Sequence, residues 1–188
     1  VESDLSRMVA NTSPAVFEAL VKGRGGVVSG DAIQRFWSAP PDAEVVLQRS
    51  LSGELAADKA LLDRFDRWNG RTLDLPGTYY LQVVNWIFRE NRLAKGSFVA
   101  LGREIHLERL KTPVFLLVGA EDEVVPAAQA LATASLLGTP PPFIESATAP
   151  SSHVGLFVGG RTLATSWRRI AVWLQSGGAD LRGREVAS

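Results

Sequence analysis

The run Pro113-Val-Phe-Leu-Leu-Val-Gly119 restricts the fold of this chain more than any other segment. It is short, unbroken in apolar and branched side chains, and closed by Pro and Gly. That is the pattern of a strand buried on both faces of a parallel sheet, not of one with a wet side. A parallel strand needs a crossover to its neighbour, and the sequence downstream provides one. A helix is predicted from about Ala127 to Leu137, with Ala127, Ala130, Leu131 and Ala134 on one face. A shorter strand is predicted around Pro142 to Ser146, then a loop, then a helix from about Thr162 to Gln175. Leu163, Trp167, Ile170, Ala171 and Leu174 form the apolar stripe of that last helix. This βαβα order is the mark of an α/β fold with a doubly wound sheet. Two strands do not make a stable sheet by themselves, so further strands are expected outside this chain. The open apolar edge left on the 113–119 strand invites pairing, and a homodimer is one way of covering it.

The first hundred residues have a different texture, and no strand is predicted there. Ser13 followed by Pro14 reads as an N-cap and a first-turn proline, with Val16, Phe17, Leu20 and Val21 on one face. Asp31 is placed as the cap of a short helix that turns Ile33, Phe36 and Trp37 inward. Longer helices are predicted from about Glu54 to Trp68 (Leu61, Leu62, Phe65, Trp68) and from about Thr78 to Asn91 (Leu81, Val84, Ile87, Phe88). Asn69-Gly70 and Leu75-Pro76-Gly77 separate them as turns. Residues 1–95 therefore read as a helical layer, residues 96–176 as the α/β part, and the Gly-rich, charged residues 177–188 as a disordered tail.

Charge and composition exclude several classes of function. Lys plus Arg and Asp plus Glu each number 20, so no net field draws the chain to nucleic acid or to an anionic membrane. There is no Cys, hence no disulfide, thiolate metal site or thiol nucleophile within these residues. The two histidines lie far apart and give no metal-site spacing, so no cofactor is predicted. No apolar run reaches the length of a membrane span and no signal segment is visible, which predicts a cytoplasmic protein.

Ligands and reactive groups of open parallel sheets collect at the carboxyl ends of the strands. Two loops take that position here, Gly119-Ala-Glu-Asp-Glu-Val-Val-Pro126 and Ser151-Ser-His-Val-Gly155. A carboxylate on the first and an imidazole on the second are the acid and base of a nucleophile relay. The carboxylate fixes the ring tautomer, and the ring takes the nucleophile's proton. Asp122 and His153 are the candidates; Glu121 and Glu123 compete for the acid position, and the shorter Asp is the easier to hold rigid in a tight turn. The order acid then His matches the hydrolase order of nucleophile, acid, His, which predicts a nucleophile upstream. Ser151 and Ser152 adjoin His153 but do not lie in a Gly-x-Ser-x-Gly elbow. Gly23-Arg-Gly-Gly-Val-Val-Ser-Gly30 lacks the ending of a phosphate loop, and Asn11-Thr12-Ser13 fits a glycosylation acceptor by chance. His106 is read as a surface residue, and the five tryptophans as packing.

Several segments are similar, in order, to the C-terminal half of polyhydroxyalkanoate synthases, the PhaC-type branch of the α/β-hydrolase superfamily. They are Arg67-Trp68-Asn69, Leu75-Pro76-Gly77, Tyr80-Leu81, Glu90-Asn91-Arg92-Leu93 and Gly102 to Leu110 leading into Lys111-Thr-Pro-Val-Phe-Leu-Leu-Val-Gly-Ala-Glu-Asp122. Val125-Pro126, Leu136-Leu137-Gly138 and Ser152-His153-Val154-Gly155 complete the set. The resemblance implies the C-terminal part of an α/β-hydrolase core, with residues 1–95 as the lid over its site. It implies that Asp122 and His153 serve a cysteine nucleophile in an elbow before this segment, with a hydroxyacyl-CoA as substrate and polymer granules as a further location. Glu123 and Ala127 stand where such synthases commonly have His and Trp. The run Val154-Gly-Leu-Phe-Val-Gly-Gly-Arg161 leading into a Trp-bearing helix is closer to intracellular polyester depolymerases. A depolymerase or esterase acting on a polyester or ester, and a non-catalytic module that keeps the fold, are the competing readings.

Overall fold

Ser3 opens the first helix by accepting the Ser6 N–H at its Oγ (3.2 Å), an N-cap that satisfies one of the orphan donors of a helix start. The computed structural model describes residues 3–37, 67, 71–122 and 124–178. Two compact units divide the chain, one within residues 2–105 and the other within residues 106–188.

The first unit contains helices α1 (Asp4–Asn11), α2 (Pro14–Lys22) and α3 (Gly30–Trp37), and then α4 (Gly77–Gln82), which continues as a π-helical stretch, Val83–Arg89. Of these, α1 carries no pattern singled out in the sequence. Ser13 does occupy the N-cap position of α2 with Pro14 behind it, although its hydroxyl makes no cap bond. The core is Val9, Phe17, Val28, Tyr80 and Val84, with Leu20, Val21, Ile33, Leu81 and Phe88 packed around it. Most of the inward positions expected from helical periodicity are therefore inside. Arg89 donates to the carbonyls of Val9 (3.2 Å) and Thr12 (2.7 Å), capping the end of α1 from a distant part of the chain.

Two expectations for this region need correction. The start of α3 is capped by Ser29, whose Oγ accepts from Ala32 N–H, and by Asp74, which accepts from Gly30 N–H at 3.0 Å. Asp31 lies inside the first turn and accepts from Thr72 Oγ1 instead. Strands are also present. β1 (Val27–Val28) pairs antiparallel with β2 (Leu75–Pro76), and β3 (Phe98–Ala100) pairs antiparallel with β4 (Arg103–Ile105). Ladders of two or three residues are too short to leave an alternating pattern. The β1–β2 pair depends on close approach at Gly77, where an added Cβ would lie 2.6 Å from the Gly26 carbonyl oxygen. The β3–β4 turn puts Leu101 (φ 50°) and Gly102 (φ 75°) in the left-handed region, so a Leu stands where hairpins usually show Asn or Gly. The helix expected from Glu54 to Trp68 lies outside the described residues except for Arg67, which is helical and exposed. The Asn69-Gly70 turn and the side chains of Phe36 and Trp37 are also outside them.

The second unit is a mixed α/β arrangement around a small parallel sheet. β5 (Val114–Gly119) and β6 (Ile144–Ala149) pair in parallel register from Val114↔Ile144 to Gly119↔Ala149. The crossover is helix α5 (Ala127–Ala132), extended by a 3₁₀ turn, Thr133–Leu136. β6 extends three residues past the expected strand end, through Ala149. After it come the short helices α6 (Gly155–Val158) and α7 (Gly160–Thr162), a π-helical turn Leu163–Trp167, and α8 (Arg168–Gln175). The stop of α8 is a Schellman motif: Gly177 N–H bonds to Leu174 O (3.1 Å) and Gly178 N–H to Trp173 O (2.9 Å), with both glycines at positive φ. Residues beyond Gly178 lie outside the described ones.

The apolar stripe predicted on the last helix is largely on the outside. Leu163, Trp167, Ala171 and Leu174 are exposed, whereas Trp173 is buried and meets Phe115 edge-on with ring centroids 5.6 Å apart. A sheet of two strands offers a helix only a narrow floor, enough for Trp173 and too little for the whole stripe. On the same face Glu145, buried, pairs with Arg169 through Nε (2.9 Å) and Nη2, and the guanidinium lies over the Phe115 ring. The second carboxylate oxygen, Oε2, has no hydrogen-bond partner among the described residues. Replacing Arg169 by Met would leave a buried charge unpaired. The expected loss is about 2 kcal/mol, at the lower side for a broken buried pair because Arg169 is itself partly in water. Urea unfolding of the two proteins checks this, and equal midpoints would show that the pair contributes nothing.

Candidate active site

β5 ends at Gly119, and the chain turns at once. Ala120 N–H bonds to Ala149 O (2.8 Å) and Glu121 N–H to Ser151 O (3.1 Å), so the loop after β5 is fastened to the loop after β6 by its backbone. The next residue, Asp122, is buried, its side chain 4% exposed. Its Oδ1 accepts the N–H groups of Val124 (3.0 Å) and Val125 (2.8 Å), an Asx-type turn in which a short side chain closes its own loop. Its Oδ2 lies 3.0 Å from His153 Nδ1. Three donors thus hold one carboxylate, and its orientation is fixed on both sides.

His153 is steadied by its chain neighbours. Ser152, buried, accepts Gly155 N–H at its Oγ (3.4 Å) and Leu156 N–H at its carbonyl (3.1 Å), which ties the His153 turn to the start of α6. Trp167 Nε1–H donates to Leu156 O (2.7 Å) and braces the same turn. The imidazole side chain is 43% exposed, so one edge rests on a buried acid while the other is open to a reactant. With the carboxylate ionised it can only accept, which assigns the proton to Nδ1 and leaves the Nε2 lone pair free. A ring held in this way can take a proton from a neighbouring hydroxyl or thiol and return it to a leaving group.

The structure therefore brings together the two residues singled out from sequence. Of the competing acids, Glu121 is exposed and contributes only its backbone N–H to the loop, and Glu123 lies outside the described residues. His106 is partly buried, with Nδ1 3.2 Å from Glu108 Oε1, and is not the surface residue expected. Ser151 and Ser152 serve the turn, and neither occupies a nucleophile elbow. The supporting contacts of Gly119, Ser151 and Ser152 leave no local signal in the sequence. Among the described residues no three His, Cys, Asp or Glu side chains cluster as metal ligands. Nor is any helix among them long and apolar enough to cross a membrane.

Residues 42–171 match the family described as the PHB de-polymerase C-terminus. The chain belongs to this family. It is also similar to proteins named Poly(3-hydroxyalkanoate) polymerase subunit PhaC. That of Haloferax mediterranei is 26% identical over 110 residues, which cover 58% of this chain and 22% of the relative. That of Haloarcula marismortui is 27% identical over 111 residues, 58% of this chain and 23% of the relative. That of Rhizobium meliloti is 30% identical over 87 residues, 46% of this chain and 14% of the relative. The aligned part of the chain thus spans less than a quarter of each of these three curated relatives. The resemblance to PhaC-type C-terminal regions read from the loop and helix motifs is borne out by these matches.

Proposed function

We propose that this chain carries the acid and base of an acyl-transfer centre of the polyhydroxyalkanoate synthase type, with Asp122 as the acid and His153 as the base. The observation that carries the reading is the 3.0 Å contact between a buried carboxylate and a half-exposed imidazole on adjacent strand-end loops. Family membership and the PhaC relatives support it. In this reading residues 96–176 are the C-terminal part of an α/β-hydrolase core and residues 1–95 its helical lid. The remaining strands and the nucleophile belong to a preceding segment of the same enzyme. Support for a larger core comes from the two-stranded sheet and from the exposed stripe of Leu163, Trp167 and Leu174, surfaces that a fuller sheet would cover.

The chemistry rests on the free Nε2. His153 removes the proton of the nucleophile as it attacks the acyl carbonyl of a hydroxyacyl-CoA, and the imidazolium is stabilised by Asp122. That proton then goes to the departing CoA sulfur, leaving an acyl-enzyme. In a second half-reaction His153 takes the proton of an incoming hydroxyl, whose oxygen attacks the acyl-enzyme, and returns that proton to the nucleophile as it leaves. When the hydroxyl belongs to another hydroxyacyl unit, the chain grows; when it is water, the ester is hydrolysed. The family's description as a depolymerase C-terminus favours the hydrolytic version as the second reading.

The complete protein that carries this chain is expected to release free CoA from 3-hydroxybutyryl-CoA, with a covalent acyl-enzyme detected by mass spectrometry of quenched reactions. Ester cleavage of poly(3-hydroxybutyrate) without CoA release would select the hydrolytic reading. Neither activity would sink both.

A further inference from the structure

The geometry points to Gly119 as a positioning residue that sets the separation of the Asp122 and His153 loops, an inference that rests on the acyl-transfer reading above. Gly119 is the last residue of β5, it is buried, and its Cα faces the backbone of the opposite loop. A Cβ added there would lie 2.4 Å from Ser151 O and 3.1 Å from Asp122 Cβ. The nearer obstruction is a backbone carbonyl and cannot rotate away. Relief requires the 151–153 loop to back off by about 1 Å, the shortfall from ordinary van der Waals contact. The same carbonyl accepts the Glu121 N–H, so the wedge acts on the bond that fastens the two loops. His153 lies two residues beyond the displaced carbonyl, and its 3.0 Å contact with Asp122 would open past hydrogen-bond range. Gly119 has no chemistry of its own and touches no reacting atom; it holds the relay at bonding distance by being small.

Gly155 provides the contrast. Its added Cβ would meet Ser151 Oγ at 2.4 Å and Ser152 Oγ at 3.2 Å, and Ser151 Oγ can turn to another rotamer. A methyl group of the same size at Gly155 should therefore disturb the relay much less.

The test is a double-mutant cycle in the complete protein, following CoA release from 3-hydroxybutyryl-CoA. Gly119→Ala is expected to lower kcat by about 10²-fold with KM little changed, because a displacement near 1 Å spoils the reacting geometry and not substrate capture. Gly155→Ala is expected to cost about tenfold at most. In an Asp122→Asn background, where the relay is already broken, Gly119→Ala should have almost no further effect on kcat. Losses that multiply in the double variant would overturn the positioning role, as would a loss for Gly155→Ala equal to that for Gly119→Ala. If Gly119→Ala is recovered only in poor yield, titration of the acyl-enzyme burst normalises kcat to the folded fraction, and the same non-additivity with Asp122→Asn is expected. Failure of the underlying reading has a separate signature: Asp122→Asn alone would then leave kcat unchanged.

Discussion

Replacing His153 by Ala is expected to lower acyl-group turnover in the complete protein by at least about 10⁴-fold, with the melting temperature almost unmoved. In the proposed mechanism the imidazole moves the proton in both half-reactions, so its loss would remove general-base and general-acid assistance together. Its side chain is 43% exposed, and its polar contact goes to a carboxylate whose other oxygen is held by two backbone N–H groups. Asp122 thus keeps much of its hydrogen bonding in the variant, and the fold loses little. CoA release from 3-hydroxybutyryl-CoA, with thermal unfolding in parallel, separates the two effects. Turnover within about tenfold of the unaltered protein would place the chemistry elsewhere and remove His153 from the mechanism.

The largest expected effect on stability lies in the other unit. Phe17 is 1% exposed, the largest fully buried side chain among the described residues, and its ring centroid is 6.3 Å from that of Tyr80. Phe17→Ala removes the transfer free energy of the ring, the aromatic contact and the dispersion contacts of a packed site. Together these amount to about 3–5 kcal/mol. The loss sits at the upper end if α2 cannot move in to fill the space. Val9, Val28 and Val84 around it are β-branched and have few rotamers with which to fill it. Guanidinium unfolding followed by far-UV circular dichroism measures the shift, and a loss under about 1 kcal/mol would mean that the site collapses freely.

The sequence carried the strand of residues 114–119 and the Asp122 and His153 pair clearly, because each depends on a local signal. The strand is an unbroken apolar run, and the pair sits on loops whose place at strand ends is set by βαβα order. The small antiparallel ladders were not legible. β1 and β2 are far apart in the chain and meet through two residues each, and their pairing depends on a glycine approach that only the folded chain displays. Capping of α3 went to Asp74 and Ser29 and not to Asp31, since a cap supplied from 44 residues away leaves no trace in local pattern. The stripe on the last helix is apolar, as its spacing predicts, yet largely exposed. Periodicity identifies a face that wants cover, but what covers it is a property of the rest of the sheet. Gly119 is legible in the sequence only as the end of a strand, because crowding between two loops is a fact of three dimensions.

The Schellman stop after α8 brings Gly178 against the Pro113 ring, with an added Cβ only 2.3 Å from Pro113 Cβ. The strand–helix–strand–helix segment therefore begins and ends at one spot, the foot of β5. Six strand residues at about 3.3 Å each separate that spot from the His153 loop by well over 15 Å. In engineering terms the segment is a cassette with adjacent terminals. Affinity tags, fluorescent fusions or surface tethers spliced directly after residue 178 would depart from the end of the sheet remote from the imidazole.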